Sequence, residues 1–345
     1  MKDKLLIFTP FEEFHVFFKF NTFLWKIKDE FKEIIVACPP RAINTIQYAT
    51  SFVTISEQWL REVGLRHPQR DVVKQDEQYK GAPARNPFYT KVRNWAEKAL
   101  DIEEYEILYY CNTWVKDHKA QEVFSEFFHR KNTADSLVRD FDWAIEWLKE
   151  GNSTKPTEKQ YEEVKNKLVH KEYDQSKTYA ILTRNLINKQ PIHNTHIEYP
   201  ELETLMRYLI DGGLTIINVG FPPAQYSIDS NQYIELSYPT LQDDIPALFY
   251  TTNGTLLFGS AFPFHSFYNM DIFLLESIWS GPRKDREMMF NARNSNTNMS
   301  SVDLSSYVKT KDYANIKKAL LNHKKMTKNT FDKGVPITVL NGENI

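Results

Sequence analysis

Polar residues that could bind a phosphorylated ligand directly follow a short apolar run typical of a buried strand. Arg184 comes just after the run Tyr179–Leu182, and a guanidinium group can hold a pyrophosphate through forked hydrogen bonds. The polar stretch continues with Asn185 and Lys189. A long polar segment after a core strand is more typical of a binding site than of packing. The alternative is an ion pair between Arg184 and a surface carboxylate.

A turn of small residues follows another apolar run, Ala247–Thr252. We expect that run to be a strand and the turn to open a helix, whose free backbone N–H groups would attract phosphate. The pattern therefore predicts phosphate or ribose contacts from Asn253, Gly254, Thr255 and Ser260. A tight turn that simply requires glycine is the alternative.

Two more side chains are candidates for the same site. Glu276 ends the run Asp271–Leu275, where a carboxylate could accept hydrogen bonds from ribose hydroxyls. An ordinary solvated glutamate is equally compatible with this position. His265 lies near the small-residue turn and could contact the nucleotide or the transferred group, or it could be a packed loop histidine.

Glu12, Glu13 and His15 follow the first predicted strand, Lys4–Thr9. A carboxylate or imidazole there could act as general base on an acceptor hydroxyl, with Glu13 the first candidate and His15 the second. Acidic residues are also favoured at helix N-termini without any catalytic role. A metal site is not expected, because His193 and His196 lack cysteine or carboxylate ligands at supporting spacing.

The elements that position these residues alternate between short apolar strands and amphipathic helices. That alternation predicts an α/β fold with parallel, doubly wound sheets, in which ligands bind at the carboxyl ends of the strands. The predicted strands are Lys4–Thr9, Glu33–Cys38, Phe52–Ile55, Tyr105–Cys111, Tyr179–Leu182, Leu214–Val219, Tyr233–Leu236, Ala247–Thr252 and Asp271–Leu275. The predicted helices include His15–Phe31, Ala134–Lys149, Glu158–Lys171 and Tyr199–Asp211, the last ended by Gly212 and Gly213.

Domain boundaries follow from the composition of the connecting segments. Gly151–Pro156 reads as a linker, which predicts two Rossmann-like domains, residues 1–155 and 156–300, with a cleft between them. Residues 291–306 are expected to form a loop, and residues 301–345 a C-terminal helix and tail. The basic helix, Tyr313–Lys328, is expected to pack across the two domains, with peripheral contact to a membrane surface as the alternative.

Composition excludes several functional classes. The 345 residues carry a net charge of -2 with a pI near 6.5, so a nucleic-acid partner is not expected. Two cysteines cannot form a disulfide framework. No signal peptide or membrane-spanning run is recognisable, so we expect a cytoplasmic protein. Peripheral contact with the inner face of the membrane is compatible with that location.

The strand before Arg184, the helix that ends in Gly-Gly and the Asn253–Ser260 turn resemble the C-terminal half of a GT-B glycosyltransferase. The resemblance covers residues 178–280 and implies two Rossmann-like domains, the second binding a nucleotide-sugar donor and the first an acceptor. It implies that Arg184 holds the donor phosphates, as in fucosyltransferase-like members, and that Glu276 binds ribose. The Gly-Gly loop usual after the family's first strand is replaced by Thr9–Glu12.

The activity that this resemblance implies is metal-independent transfer of a sugar from a nucleotide donor to a glycan or lipid-linked acceptor. The biological setting would be surface polysaccharide biosynthesis, with the nucleotide-sugar as co-substrate and no other cofactor. Two alternatives remain open. One is a different transferase on the same scaffold, using a CMP-linked keto-sugar or a pyruvyl donor. The other is a non-catalytic protein that binds a nucleotide or carbohydrate.

Overall fold

The chain divides into two compact units. Met1–Ala144 and Lys333–Ile345 form the first unit, and Ile145–Asp332 forms the second. The computed structural model describes residues 3–8, 14–55, 94, 98, 101–109, 136–168, 174–184, 199–221, 226–237, 245–257, 266–276, 284–334 and 337–339. None of the described helices is both long enough and apolar enough to cross a membrane.

The first unit contains a five-stranded parallel sheet in the order β11-β3-β2-β1-β4. Its strands are β1 (Lys4–Phe8), β2 (Glu33–Cys38), β3 (Ser51–Thr54), β4 (Tyr105–Tyr109) and β11 (Ile337–Val339). Helix α1 (Phe14–Ile27) packs the apolar stripe Phe20, Phe23, Leu24 and Ile27 into the core of this unit. The predicted strands and helix of this unit are confirmed within about two to four residues of their expected ends.

The second unit contains a six-stranded parallel sheet in the order β10-β9-β8-β5-β6-β7. Its strands are β5 (Thr178–Arg184), β6 (Thr215–Phe221), β7 (Tyr233–Ser237), β8 (Gly254–Leu257), β9 (Ile272–Leu274) and β10 (Ser301–Asp303). The described helices beyond α1 are α2 (Ser136–Lys149), α3 (Glu158–Leu168), α4 (Tyr199–Asp211), α5 (Ile245–Tyr250), α6 (Lys284–Asn294), α7 (Ser305–Lys309) and α8 (Tyr313–Asn322). The predicted fold class, α/β with parallel sheets, is confirmed.

Helix α4 begins and ends where its sequence predicts. Leu202, Leu205, Met206 and Leu209 bury one face of the helix in the core. The helix is ended by Gly213, whose φ of 85° lies in the left-handed region. The N–H groups of Gly213 and Leu214 bond back to the carbonyls of Ile210 at 2.8 Å and Leu209 at 3.2 Å. This is the Schellman pattern in which glycine is favoured.

The prediction of a strand at Ala247–Thr252 is wrong. Residues Ile245–Tyr250 form helix α5, and the strand is the following segment, Gly254–Leu257. All six residues of α5 are buried, so its apolar run has no exposed face, and a short run of this kind does not distinguish a helix from a strand. Pro246 in the first turn, a position that proline favours in helices, was the available signal.

The loop expected at residues 291–306 is also wrong, and part of the expected C-terminal tail forms a strand. Residues 291–306 contain the end of α6, the edge strand β10 and the start of α7. Residues Ile337–Val339 pair in parallel with Phe52–Thr54 and so complete the first sheet. A strand of three residues between polar segments leaves too short a pattern to be recognised in a sequence.

The segment predicted as a linker, Gly151–Pro156, lies within the second unit. Gly151, with a φ of 80°, ends helix α2, and Ser153 and Thr154 are buried. The Thr154 N–H donates to the carbonyl of Phe267 at 2.7 Å. Gly151 therefore marks the end of a helix, and the residues between it and Pro156 form a packed segment of the second unit.

A fully buried arginine joins several loops of the second unit. The guanidinium of Arg293 donates to the carbonyls of Tyr268 at 3.1 Å and Ser300 at 3.4 Å, and also to those of Ser266 and Met270. Burial lowers the pKa of Arg293 to about 9, although Asp271 acts in the opposite direction. The side chain therefore remains charged near neutral pH, and its forked donors bind four buried carbonyls at once.

We expect Arg293→Met to destabilise the second unit by about 3–5 kcal/mol, because the change removes the charged donor group that bonds four buried carbonyls. A unit of this size loses about 2–4 °C of melting temperature per kcal/mol, so the shift is readily measured by circular dichroism. Arg207→Met is the control, because Arg207 lies at the surface, where it pairs with Glu203 and donates to the Ser227 carbonyl, and its loss should cost less than about 1 kcal/mol. Equal melting of the two variants would contradict this account of Arg293.

Candidate functional site

The topology of the second sheet identifies the edge at which a ligand is expected. The chain leaves β5 for β6 on one side, whereas β8 pairs with β5 on the other side. The carboxyl ends of β5 and β8 therefore flank the switch point of the sheet, where open parallel sheets bind their ligands. Arg184 is the last residue of β5, and its backbone pairs with Phe221 of β6.

Several predicted site residues follow these strand ends in the chain but lie outside the described residues. Asn185 and Lys189 follow β5, Ser260 is the third residue after β8, and His265 comes just before the described segment that starts at Ser266. For Arg184 the structure gives the backbone position alone. The roles of these five residues stay predictions.

Glu276 lies at the carboxyl edge of the second sheet, as its sequence position predicts. It follows β9 by two residues and is only 8% exposed. The neighbouring Leu275 donates its N–H to the carbonyl of Leu257, the last residue of β8, at 2.8 Å. Glu276 is thus two strands away from β5, about 10 Å at the usual strand spacing, a distance that a nucleoside diphosphate can bridge. Its contact with ribose stays a prediction.

The positional argument for Asn253, Gly254 and Thr255 is wrong. They form the start of β8, at the amino edge of the sheet, and Gly254 and Thr255 pair with Tyr179 and Ala180 near the start of β5. That prediction assumes that residues 247–252 form a strand, so that residues 253–255 would follow its carboxyl end. These residues instead follow helix α5 and lie at the amino end of strand β8.

Local packing accounts for Asn253 and Gly254 without a ligand. The Asn253 side chain donates to the hydroxyl of Tyr179 at 2.6 Å and to the carbonyl of His323 at 3.3 Å. A Cβ atom on Gly254 would lie 2.7 Å from the ring of Phe273, so the close approach of that ring requires glycine. Thr255 is fully buried.

The first sheet has a switch point of its own, between β1 and β4. The candidate general bases follow the carboxyl end of β1, as expected from the sequence. Glu13 lies outside the described residues, and His15 is the second residue of α1, described by its backbone alone. Catalysis by either side chain stays a prediction.

Sequence reasoning missed a buried polar cluster at the amino edge of the second sheet. The carboxylate of Asp271, the residue before β9, is fully buried. It accepts hydrogen bonds from His323 Nε2 at 2.7 Å, from the Met326 N–H at 2.6 Å and from the Thr327 N–H at 3.0 Å, and also from the Thr327 hydroxyl. The donors lie more than 50 residues further along the chain, so no local spacing signals the cluster.

Opposing effects act on the acidity of Asp271. Burial raises the pKa of its carboxyl group, whereas hydrogen bonds from His323, Thr327 and the Met326 backbone, together with the charge of His323, lower it. The net result is a pKa below the ordinary value of 3.8. Four converging donors favour the charged carboxylate more than burial disfavours it. The cluster faces the edge opposite to the switch point, so we assign it to stability.

Within the described ranges, no group of three or more His, Cys, Asp or Glu side chains is placed to hold a metal ion. His193, His196 and His265 lie outside the described residues.

The fold is similar to that of solved glycosyltransferases. A glycosyl transferase of family 9 from Veillonella parvula is 9% identical, with a TM-score of 0.50 over 94% of this chain and 93% of that chain. The ADP-heptose LPS heptosyltransferase II of E. coli is 12% identical, with a TM-score of 0.41 over 79% of this chain and 84% of the other. A structure assigned as a UDP-N-acetylglucosamine 2-epimerase from Listeria monocytogenes is 9% identical, with a TM-score of 0.38 over 97% and 93%.

At 9% identity, the likeness to the family 9 structure shows a shared fold and nothing about function. The TM-scores of the other two structures are too low to add to this comparison. No protein-family model matches the sequence, and no curated protein matches it. The resemblance to GT-B-fold glycosyltransferases that the sequence indicated is confirmed at the level of the fold.

We expect Asp271→Asn to destabilise the second unit by about 3–5 kcal/mol, because an amide replaces a buried carboxylate that four donors surround. A depressed pKa stabilises the fold above the ordinary carboxyl pKa, and this contribution is lost as the pH falls through the folded-state value. The melting temperature of the unaltered protein should therefore exceed that of Asp271→Asn by the largest amount at neutral pH, and the difference should shrink below about pH 4. Asp229→Asn, at an exposed position, should change stability by less than about 0.5 kcal/mol. A difference that persists unchanged at about pH 2 would contradict the role given to the Asp271 charge.

Proposed function

We propose that this protein is a glycosyltransferase that moves a sugar from a nucleotide-sugar donor to a glycan or lipid-linked acceptor in surface polysaccharide biosynthesis. The observation that carries the proposal is the position of Arg184, the last residue of β5, at the switch point of the second sheet. The GT-B-like fold supports it. The donor site consists of Arg184, Asn185, Lys189, Ser260 and Glu276.

The reaction needs two kinds of groups. A base in the first unit, Glu13 or His15, takes the proton of the acceptor hydroxyl. The acceptor oxygen then forms a bond to the anomeric carbon as the bond from that carbon to the donor phosphate breaks. The leaving nucleoside phosphate keeps the electron pair, and Arg184, Lys189 and backbone donors stabilise the added negative charge. His265 contacts the transferred group.

The proposal includes three further properties. Transfer proceeds without a divalent metal or other cofactor, because positive side chains neutralise the phosphate. The enzyme acts in the cytoplasm. It makes peripheral contact with the inner face of the membrane through its basic C-terminal region.

The proposal is tested with CMP, UDP, GDP and ADP sugars, each incubated with the protein and a candidate acceptor in the presence of EDTA. We expect one nucleotide to raise the melting temperature and its sugar to release nucleotide on turnover. A shift in melting temperature without release in any combination would instead identify a binding protein. Turnover that is abolished by EDTA and restored by magnesium or manganese would contradict metal independence.

We expect Arg184→Ala to weaken binding of the nucleotide identified in that panel by about 1.5–3 kcal/mol, the contribution of a charge-assisted hydrogen bond. Isothermal titration calorimetry measures the change. Arg207→Ala removes the same charge from an exposed ion pair on α4 and should leave the affinity unchanged. If both variants bind like the unaltered protein, Arg184 is not a phosphate ligand.

We expect Glu13→Gln to lower turnover by about 10²–10⁴-fold, the usual contribution of a general base, while donor affinity changes little. His15→Ala is the parallel variant, because only one of these two side chains can face the substrate at a helix start. Near-normal turnover in both variants would assign the base to another residue. Donor affinity, measured in the same preparations, distinguishes a lost base from a lost fold.

A further inference from the structure

An extended segment after α8 alternates between buried and exposed side chains. His323, Lys325 and Thr327 point into the protein, whereas Lys324, Met326 and Lys328 are exposed. We call residues 323–328 the basic strap. Alternation of this kind places every second side chain on one outward face.

The inward residues fix the basic strap to the amino edge of the second sheet. His323 and Thr327 are bonded to Asp271. The Lys325 ammonium donates to the carbonyls of Tyr250 at 3.1 Å and Thr252 at 3.0 Å. Buried bonds at every second residue hold the backbone, so the outward face is presented in one fixed arrangement.

The outward face combines positive charge with an exposed apolar side chain, Met326, which is 53% exposed. Leu321, two residues before the basic strap in the last turn of α8, is 45% exposed. Six lysines but only one acidic residue, Asp332, occur between residues 313 and 334. Within the described residues, Lys324 and Lys328 form no ion pair. The acidic side chain bonded to the basic strap is Asp271, which contacts its inward residues.

We propose that the basic strap docks on the surface of an anionic lipid bilayer. Lysines near such a surface contribute about 1 kcal/mol each, and apolar side chains among them bury in the boundary between headgroups and acyl chains. A soluble acidic polymer would engage the lysines but would gain little from Met326 and Leu321. The two kinds of exposed residue together favour the bilayer.

The position of the basic strap is compatible with a donor site in the same unit. The strap lies at the amino edge of the second sheet and the switch point at the carboxyl edge, separated by the seven residues of β5, about 20 Å of strand. Docking therefore leaves the donor edge uncovered. This inference rests on the peripheral membrane contact in the proposed function. Vesicle binding is measured without donor or acceptor. A failure to bind vesicles would therefore leave the result of the sugar-transfer assay unaffected.

The test is co-sedimentation of the full-length protein with vesicles. Binding should be strong to mixed phosphatidylcholine and phosphatidylglycerol, weak to phosphatidylcholine alone, and suppressed when ionic strength rises from about 0.1 M to about 1 M. Lys324→Gln with Lys328→Gln should weaken binding about 25-fold, or about fivefold for each lysine. Met326→Ser should weaken it about threefold to tenfold through lost apolar burial.

The matched control is Lys28→Gln with Lys32→Gln, two lysines with the same spacing in the first unit. This control carries the same change in net charge and should bind like the unaltered protein. Equal loss in the control and the strap variants would overturn the proposal, because net charge alone would then explain binding. Binding that depends on Lys324 and Lys328 but not on Met326 would overturn it in favour of a soluble polyanion. Unchanged melting temperatures establish that the variants are folded.

Discussion

The carboxylate of Asp271 organises the amino edge of the second unit. Asp271 is the residue that precedes β9, and its buried carboxylate accepts hydrogen bonds from His323, Met326 and Thr327. The segment that supplies these donors has no regular secondary structure, so its backbone N–H groups would otherwise be buried without partners. Once held, this segment lets Lys325 reach the carbonyls of Tyr250, the last residue of α5, and of Thr252. One charged group therefore closes the edge of the sheet that faces away from the expected ligand.

The parallel α/β fold could be predicted because most of its strands and helices carry clear local patterns. Helix α4 has both an apolar stripe and a glycine stop, and it was predicted to the residue. Helix α5 has neither an exposed face nor a length beyond six residues, so its pattern is that of a buried strand. Strands β10 and β11 have three residues each, and such strands depend on their partners rather than on their own sequence.

The candidate site shows why a single wrong element matters more for function than for fold. Mistaking α5 for a strand left the fold class intact but exchanged the two edges of the sheet for Asn253, Gly254 and Thr255. Arg184 and Glu276 were placed correctly because β5 and β9 were recognised as strands. The Asp271 cluster could not be predicted at all, since its partners are brought together by tertiary packing alone.

The pairing of β11 with β3 has a consequence for how the molecule is made. The first sheet is assembled from two stretches of chain, and the entire second unit lies between them. Among the described strands, the outer partner of β3 is β11, so during synthesis from the N-terminus that partner is missing until residues 337–339 have left the ribosome. An open edge can pair with other chains. The risk of misassembly is thus greatest while the second unit is being translated, and pairing of β11 with β3 ends that interval.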